Sequence, residues 1–278
     1  MNKHLKSFSV VFLLLLLITA CNSQGQIVPE STPQNFEGTT VHPCNNVFYP
    51  LDTNNQWIYQ LYIEGEPSSQ TTLTVLETSE SSAELTTLDN DSGTITQSTV
   101  QCNEGEIINF PITELNMMKE FLDGEVDIQH VDGVFFPAES AFTDANWQLS
   151  WMTESLANGQ LGTKIDGENF SAVLSSSPVN MEWQVLSTDG SLSVPAGNFE
   201  NVVLIERRLE IDVTELQAVF RGQDVSISSK LSMITHMFYA PGIGLLKQEL
   251  ESAGLRFFGV NFPIEADASL VLTSYRIN

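Results

Sequence analysis

The sequence predicts an all-β fold with one or two short helices. The expected architecture is a strongly curved antiparallel sheet, a half-barrel or a closed barrel, with a β-sandwich as the alternative. Three observations carry that expectation. Short runs of alternating apolar and polar residues recur from about Val41 onward, clusters of Gly, Pro, Asn, Asp and Ser separate them at close intervals, and no strand-helix-strand repeat interrupts them.

The elements follow in order. Trp57, Tyr59, Leu61 and Ile63 alternate with Ile58, Gln60 and Tyr62, which gives a strand with one strongly apolar face. Runs 73–76, 83–88, 93–102 and 106–110 continue in the same manner, linked by polar turns such as the Asp-Asn-Asp-Ser-Gly stretch 89–93. A helix is expected over 112–122, with Thr113 as its cap and Gly124 as its stop. Strand character returns at 134–136, 147–151, 170–174 and 181–186. In the longest pattern Val203, Ile205, Arg207, Leu209, Ile211 and Val213 share one parity, and Leu216, Ala218 and Phe220 resume with the other. A bulge produces such a switch, with a short helix over 213–221 as the alternative. Residues 221–224 read as a turn into a returning strand carrying Val225, Ile227, Leu231, Met233 and Met237, and runs 244–250, 255–262 and 269–277 close the pattern. No internal repeat or midpoint linker divides 41–278, which is expected to form a single β-rich domain.

Ahead of that domain, residues 1–20 have a positive start (Lys3, Lys6), an apolar run that holds five consecutive leucines, and small residues before Cys21. This is the layout of a secretory signal, and the run is too short to span a bilayer. Ile18-Thr19-Ala20-Cys21 resembles the lipobox of bacterial prolipoproteins. That resemblance implies cleavage before Cys21, lipid on its sulfur and new amino group, and a permanent anchor, because several acyl chains bind where one is marginal. Asn22 rather than Asp after the Cys favours the outer membrane in a two-membrane cell. Residues 21–40, polar with two prolines, read as a lipidated flexible tether. A membrane-embedded barrel is not expected, since the anchor would be redundant and the first half is too acidic to face lipid.

Charge narrows the partners. The 278 residues carry 35 Asp+Glu against 11 Lys+Arg, a formal net charge of -24, which repels nucleic acid. Residues 22–206 hold 27 acids and two bases, whereas 207–278 hold eight acids and seven bases. With Cys21 assigned to lipid, Cys44 and Cys102 are left as a pair in an oxidising compartment and are expected to form a disulfide.

Two sets of motifs matter together. Phe48-Tyr-Pro-Leu-Asp-Thr-Asn-Asn-Gln-Trp57-Ile-Tyr59 resembles the opening of many uncharacterised bacterial lipoproteins, whose domain begins with Y-P-L, a turn and W-x-Y. Val194-Pro-Ala-Gly-Asn-Phe199 and Tyr239-Ala-Pro-Gly-Ile-Gly-Leu-Leu-Lys247 are similar to the V-P-A-G-x-F and Y-A-P-G-x-G-x-x-K signatures of the same group. Asn54-Asn55 departs from the group's Gly-containing turn, yet Asn tolerates left-handed backbone. The resemblance implies a curved antiparallel sheet similar to the half-barrel of lipoprotein carriers that clasp acyl chains, and it implies no activity. Pro and Gly in these motifs set turns, with Trp57, Tyr59, Phe199 and Tyr239 as core aromatics beside them.

No catalytic motif is present, and past the leader the three histidines His42, His130 and His236 lie far apart in sequence. His236 sits at the parity opposite Met233 and Met237, which faces it to solvent. Asp123, Glu125, Asp127, His130 and Asp132 form the densest polar cluster and, like 89–93, read as a solvated turn that lacks the twelve-residue calcium-loop pattern, with a weak adventitious cation site as the alternative for each. No catalytic, cofactor-binding or metal-binding residue is assigned. The expected protein is a non-enzymatic, lipid-anchored envelope protein that binds an apolar small molecule or lipid in its sheet. Trp57, Tyr59, Trp147, Trp151, Trp183 and Phe199 are the candidates to line the site, and core filling is the plainer role for each. A structural or partner-binding scaffold is the alternative, and a hydrolase a third class. An empty apolar cavity of several hundred cubic ångströms would fit the ligand class; a solid core would sink that function and leave the fold intact.

Overall fold

A computed structural model describes residues 43–109, 123–165, 168–220, 223–257, 259–264 and 267–278. The leader, Cys21, the tether and the helix expected over 112–122 lie outside the described residues. The strands are β1 (Gln56–Ile63), β2 (Glu66–Thr78), β3 (Ser82–Asp89), β4 (Ile95–Asn103), β5 (Glu106–Ile107), β6 (Asp123–Gly133), β7 (Ser150–Ile165), β8 (Glu168–Val194), β9 (Gly197–Phe220), β10 (Gln223–Ala240), β11 (Gly244–Phe257), β12 (Val260–Pro263) and β13 (Ala268–Arg276), with one short helix α1 (Glu139–Asp144).

These strands form one antiparallel sheet in the order β5-β4-β3-β2-β1-β13-β11-β10-β9-β8-β7-β6, with β12 paired to β11. The ladder does not close, so neither a complete barrel nor a two-sheet sandwich is formed. The two ends of the order are nevertheless drawn together by one isolated bridge, Ile107 to Phe136, in which each backbone N–H donates to the other's carbonyl at 2.8 and 3.0 Å. A sheet whose ends meet must bend round on itself, and the expected curved half-barrel follows from that bend.

Burial alternates along the strands as the sequence pattern requires. Trp57, Tyr59 and Leu61 are buried on β1, and Val203, Ile205, Arg207, Leu209, Ile211 and Val213 on β9. On β9 Val213 pairs with Ser229 and Leu216 with Ile227, so three steps on this strand answer two on β10. That is the bulge, and the alternative helix over 213–221 does not form. The turn at 89–93 is a hairpin turn in which Asp89 Oδ1 accepts the N–H groups of Asp91 and Ser92, both at 3.0 Å. Asn54 takes φ +70°, the left-handed backbone that replaces a turn glycine.

Four expectations are corrected. Residues 134–136 are not a strand of their own; they carry the single bridge and lead into α1. Trp147 falls in the turn after α1 at φ +61°, and β7 begins only at Ser150. The cluster Asp123, Glu125, Asp127, His130 and Asp132 is not a turn but strand β6, held by pairing with β7 along its length. Residues 170–174 and 181–186 are parts of one 27-residue strand, β8, interrupted by a register jump between Val173 and Val179.

The expected disulfide is present. Cys44 and Cys102 are bonded with their Cα atoms 5.0 Å apart, which fastens the segment ahead of β1 to β4.

Candidate functional site

The inner face of the sheet is where chemistry or binding would take place, and most of it is filled. The segment ahead of β1 lays Phe48, Tyr49 and Leu51 onto it, and residues around α1 add Phe135, Phe136 and Phe142, all buried. Their rings interlock: Phe48 meets Phe142 at 5.4 Å, Phe135 meets Trp183 at 5.5 Å, and Phe136 meets Tyr239 at 5.1 Å. Trp151 and Trp183, on neighbouring strands, stack at 5.6 Å with ring planes 7° apart. Such aromatic pairs contribute about 0.5–1.5 kcal/mol each beyond the area they bury.

Asn46 holds the filling in place. It is 1% exposed, its side-chain amide donates to the carbonyls of Gly105 and Pro137 at 2.7 and 2.8 Å, and its Oδ1 accepts the Phe48 N–H at 2.9 Å. One side chain thus ties the lip 46–51, the β4–β5 turn and the entry to α1.

Between that lip and strands β1, β2, β3, β11 and β13 is a pocket with about 50 Å³ of free space. Trp57 and Tyr59 stand in its wall with their polar ends engaged: Trp57 Nε1 donates to the Ile243 carbonyl at 2.6 Å, and the Tyr59 hydroxyl to the Leu245 carbonyl at 3.0 Å. Leu51, Leu73, Leu245 and Leu270 complete the apolar surface, with Thr71, Thr87 and Gln248 as uncharged polar residues in it. No charged side chain lines it.

Of the six aromatics expected to line a site, only Trp57 and Tyr59 border this pocket. Trp151 and Trp183 belong to the aromatic filling, as does Trp147, 5.7 Å from Phe142. Phe199 is half-buried elsewhere, against the exposed Tyr275 at 6.0 Å. Gln248 and Thr87 escaped the sequence reading, although both hold a core parity on their strands, and a polar residue at such a position is the signal that marks them. Arg207, which the sequence pattern already places on the apolar parity of β9, is 2% exposed, and its Nε donates to Thr235 Oγ1 at 3.2 Å.

The outer face is polar and charge-paired. Arg208 Nε meets Glu206 Oε1 at 2.8 Å, and Lys230 Nζ meets Glu210 Oε2 at 2.8 Å and Asp212 Oδ1 at 3.4 Å. The hydrogen bond to Glu210 holds the Lys230 ammonium above its ordinary pKa. His236 stands on this face, as its parity requires, with Nε2 3.6 Å from Glu206 and Nδ1 3.8 Å from Glu251. Among the described residues no group of His, Cys, Asp and Glu has metal-holding geometry.

No protein-family model and no curated protein matches the chain. Two solved structures resemble it. One is a candidate lipoprotein from Parabacteroides distasonis, 17% identical with a TM-score of 0.51, covering 83% of this chain and 99% of its own. The other is a candidate exported protein with YmcC-like fold from Bacteroides fragilis, 14% identical with a TM-score of 0.46 over the same shares. At these identities the likeness to the first is one of fold.

Proposed function

We propose that this chain is a lipid-anchored protein of the cell envelope, without catalytic chemistry of its own, that holds one end of an apolar ligand in the pocket beneath its N-terminal lip. The pocket is the observation that carries the binding half of this reading: apolar walls, two aromatics with tethered polar ends, and no charged side chain. The lipobox-like stretch ending at Cys21 supports the anchor. A volume of about 50 Å³ is far below the roughly 300–1,000 Å³ of a site that engulfs a whole ligand, so this pocket does not meet the expectation of a cavity of several hundred cubic ångströms. The pocket therefore takes a terminal group, with the remainder of the ligand outside the lip.

Organic extraction of protein purified from envelopes, followed by mass spectrometry, tests this. A bound apolar molecule is expected, and Thr71→Trp, which fills the pocket from β2, should lose it. An extract that is empty for both forms would sink the ligand reading. The partner-binding scaffold is the second reading, favoured by the aromatic packing that occupies most of the inner face.

A further inference from the structure

Two polar atoms in the pocket wall are unusual. Gln248, on β11 opposite Met237 of β10 and Leu270 of β13, is 1% exposed, and its Nε2 has no hydrogen-bond partner. Thr87, on β3 opposite Leu73 of β2, is 6% exposed, and its Oγ1 has none either. Both atoms are closed off from solvent. A buried donor left unmade is costly, so native proteins pair nearly all of them. Two further side-chain donors of the wall, Trp57 Nε1 and the Tyr59 hydroxyl, are already committed to backbone carbonyls.

We infer that the pocket recognises an uncharged ligand bearing an acceptor oxygen, the carbonyl of an ester or amide at the end of a narrow apolar chain, with the Gln248 amide as donor and the Thr87 hydroxyl as its companion. This rests on the pocket reading above. Charge selects the neutral form. No charged side chain lines the pocket, and residues 43–109, which supply the lip and β1–β5, contain no Lys or Arg. A carboxylate or phosphate entering here would lose its hydration with no cation to replace it, against the field of the neighbouring acids. A bare alkane would enter but would leave Gln248 Nε2 unpaired. A carbonyl supplies what that amide lacks without bringing a charge.

The test uses the purified full chain and three probes with the same apolar tail: methyl octanoate, octane and octanoate at pH 7, each titrated while the side-chain amide signal of Gln248 is followed by NMR. The ester is expected to bind roughly tenfold more tightly than octane, the worth of one hydrogen bond to a buried donor, and to shift that signal. Octanoate is expected to bind more weakly than either. Gln248→Met keeps the side-chain length and removes the donor, so ester affinity should fall to that of octane while octane binding holds. Thr87→Val provides the same comparison should the first variant not fold. Equal affinities of ester and octane for the unaltered chain, or undiminished ester binding by both variants, would overturn this inference and leave the pocket reading standing. Binding of none of the three probes would overturn both.

Discussion

Asn46 shows how much of the interior depends on single polar side chains. Its amide satisfies two carbonyls from segments distant in sequence and its oxygen satisfies the Phe48 N–H. Asn46→Ala leaves those backbone groups buried without partners, at about 1–3 kcal/mol for the first and less for each that relaxes. We expect a loss of roughly 2–3 kcal/mol, read as a fall in thermal midpoint of about 4–12 °C for a domain of this size. Asn46→Asp should do worse, because it places a carboxylate against two carbonyl oxygens. No sequence pattern points to Asn46, since its partners lie 59 and 91 residues away. Arg207 was legible in a different sense: its parity put it on the buried face of β9, and there it is found.

At the scale of elements, legibility followed the contrast between the two faces of each strand. Strands β1, β9 and β10 bury one side and expose the other, so period-two alternation reveals them and even locates the bulge after Val213. The first half of β2, with Pro-Ser-Ser-Gln-Thr-Thr over 67–72, carries no such contrast, and pairing with β1 and β3 alone makes it strand. The two pieces read within β8 are separated by Ser-Ser-Ser-Pro at 175–178, where Ser176 takes φ +48°. Helix α1 has six residues, too few to display a helical period. The pocket was half legible: Trp57 and Tyr59 were in the reading, while the lip that roofs it comes from residues outside any regular element. The Cys44–Cys102 bond spans 58 residues and holds that lip to β4. Replacing both cysteines by Ala should lower stability by about 4 kcal/mol through loop entropy. In denaturant titration the midpoint should fall, and non-reducing proteolysis should begin near the lip.

For the whole molecule, the charge asymmetry of the sequence becomes a spatial one. The nearly neutral stretch 207–278 supplies most of β9 and all of β10, β11, β12 and β13, which are neighbours in the middle of the sheet. Acid-rich β1–β5 lie on one side of it and β6–β8 on the other. Three basic residues of the centre meet acids there, Arg208 with Glu206, Lys230 with Glu210 and Lys247 with Glu249. The proposed lipid anchor at Cys21 precedes the compact unit Val41–Asn278 in sequence, so attachment is expected to be removable without loss of the fold. Cys21→Ser should move the protein from the membrane fraction to the soluble fraction and abolish labelling by radioactive fatty acid, with the thermal midpoint of the β-rich unit unchanged. A protein that stays membrane-bound after this change would sink the lipid anchor.

Strand β13 lies between β1 and β11 in the sheet, although it follows both in the chain, and it pairs Arg276 with Gln56. The N-terminal meander β1–β5 and the meander β6–β11 each fold from neighbouring pairings, but they become one sheet only when β13 arrives. Loop closure across some two hundred residues is slow, so the joining of the two halves is expected to be the late step of folding, which pulsed hydrogen exchange during refolding would check. Until β13 is in place, β1 and the stretch 247–249 of β11 both present open hydrogen-bonding edges, and a chain lacking β13 would seek its missing strand in another molecule.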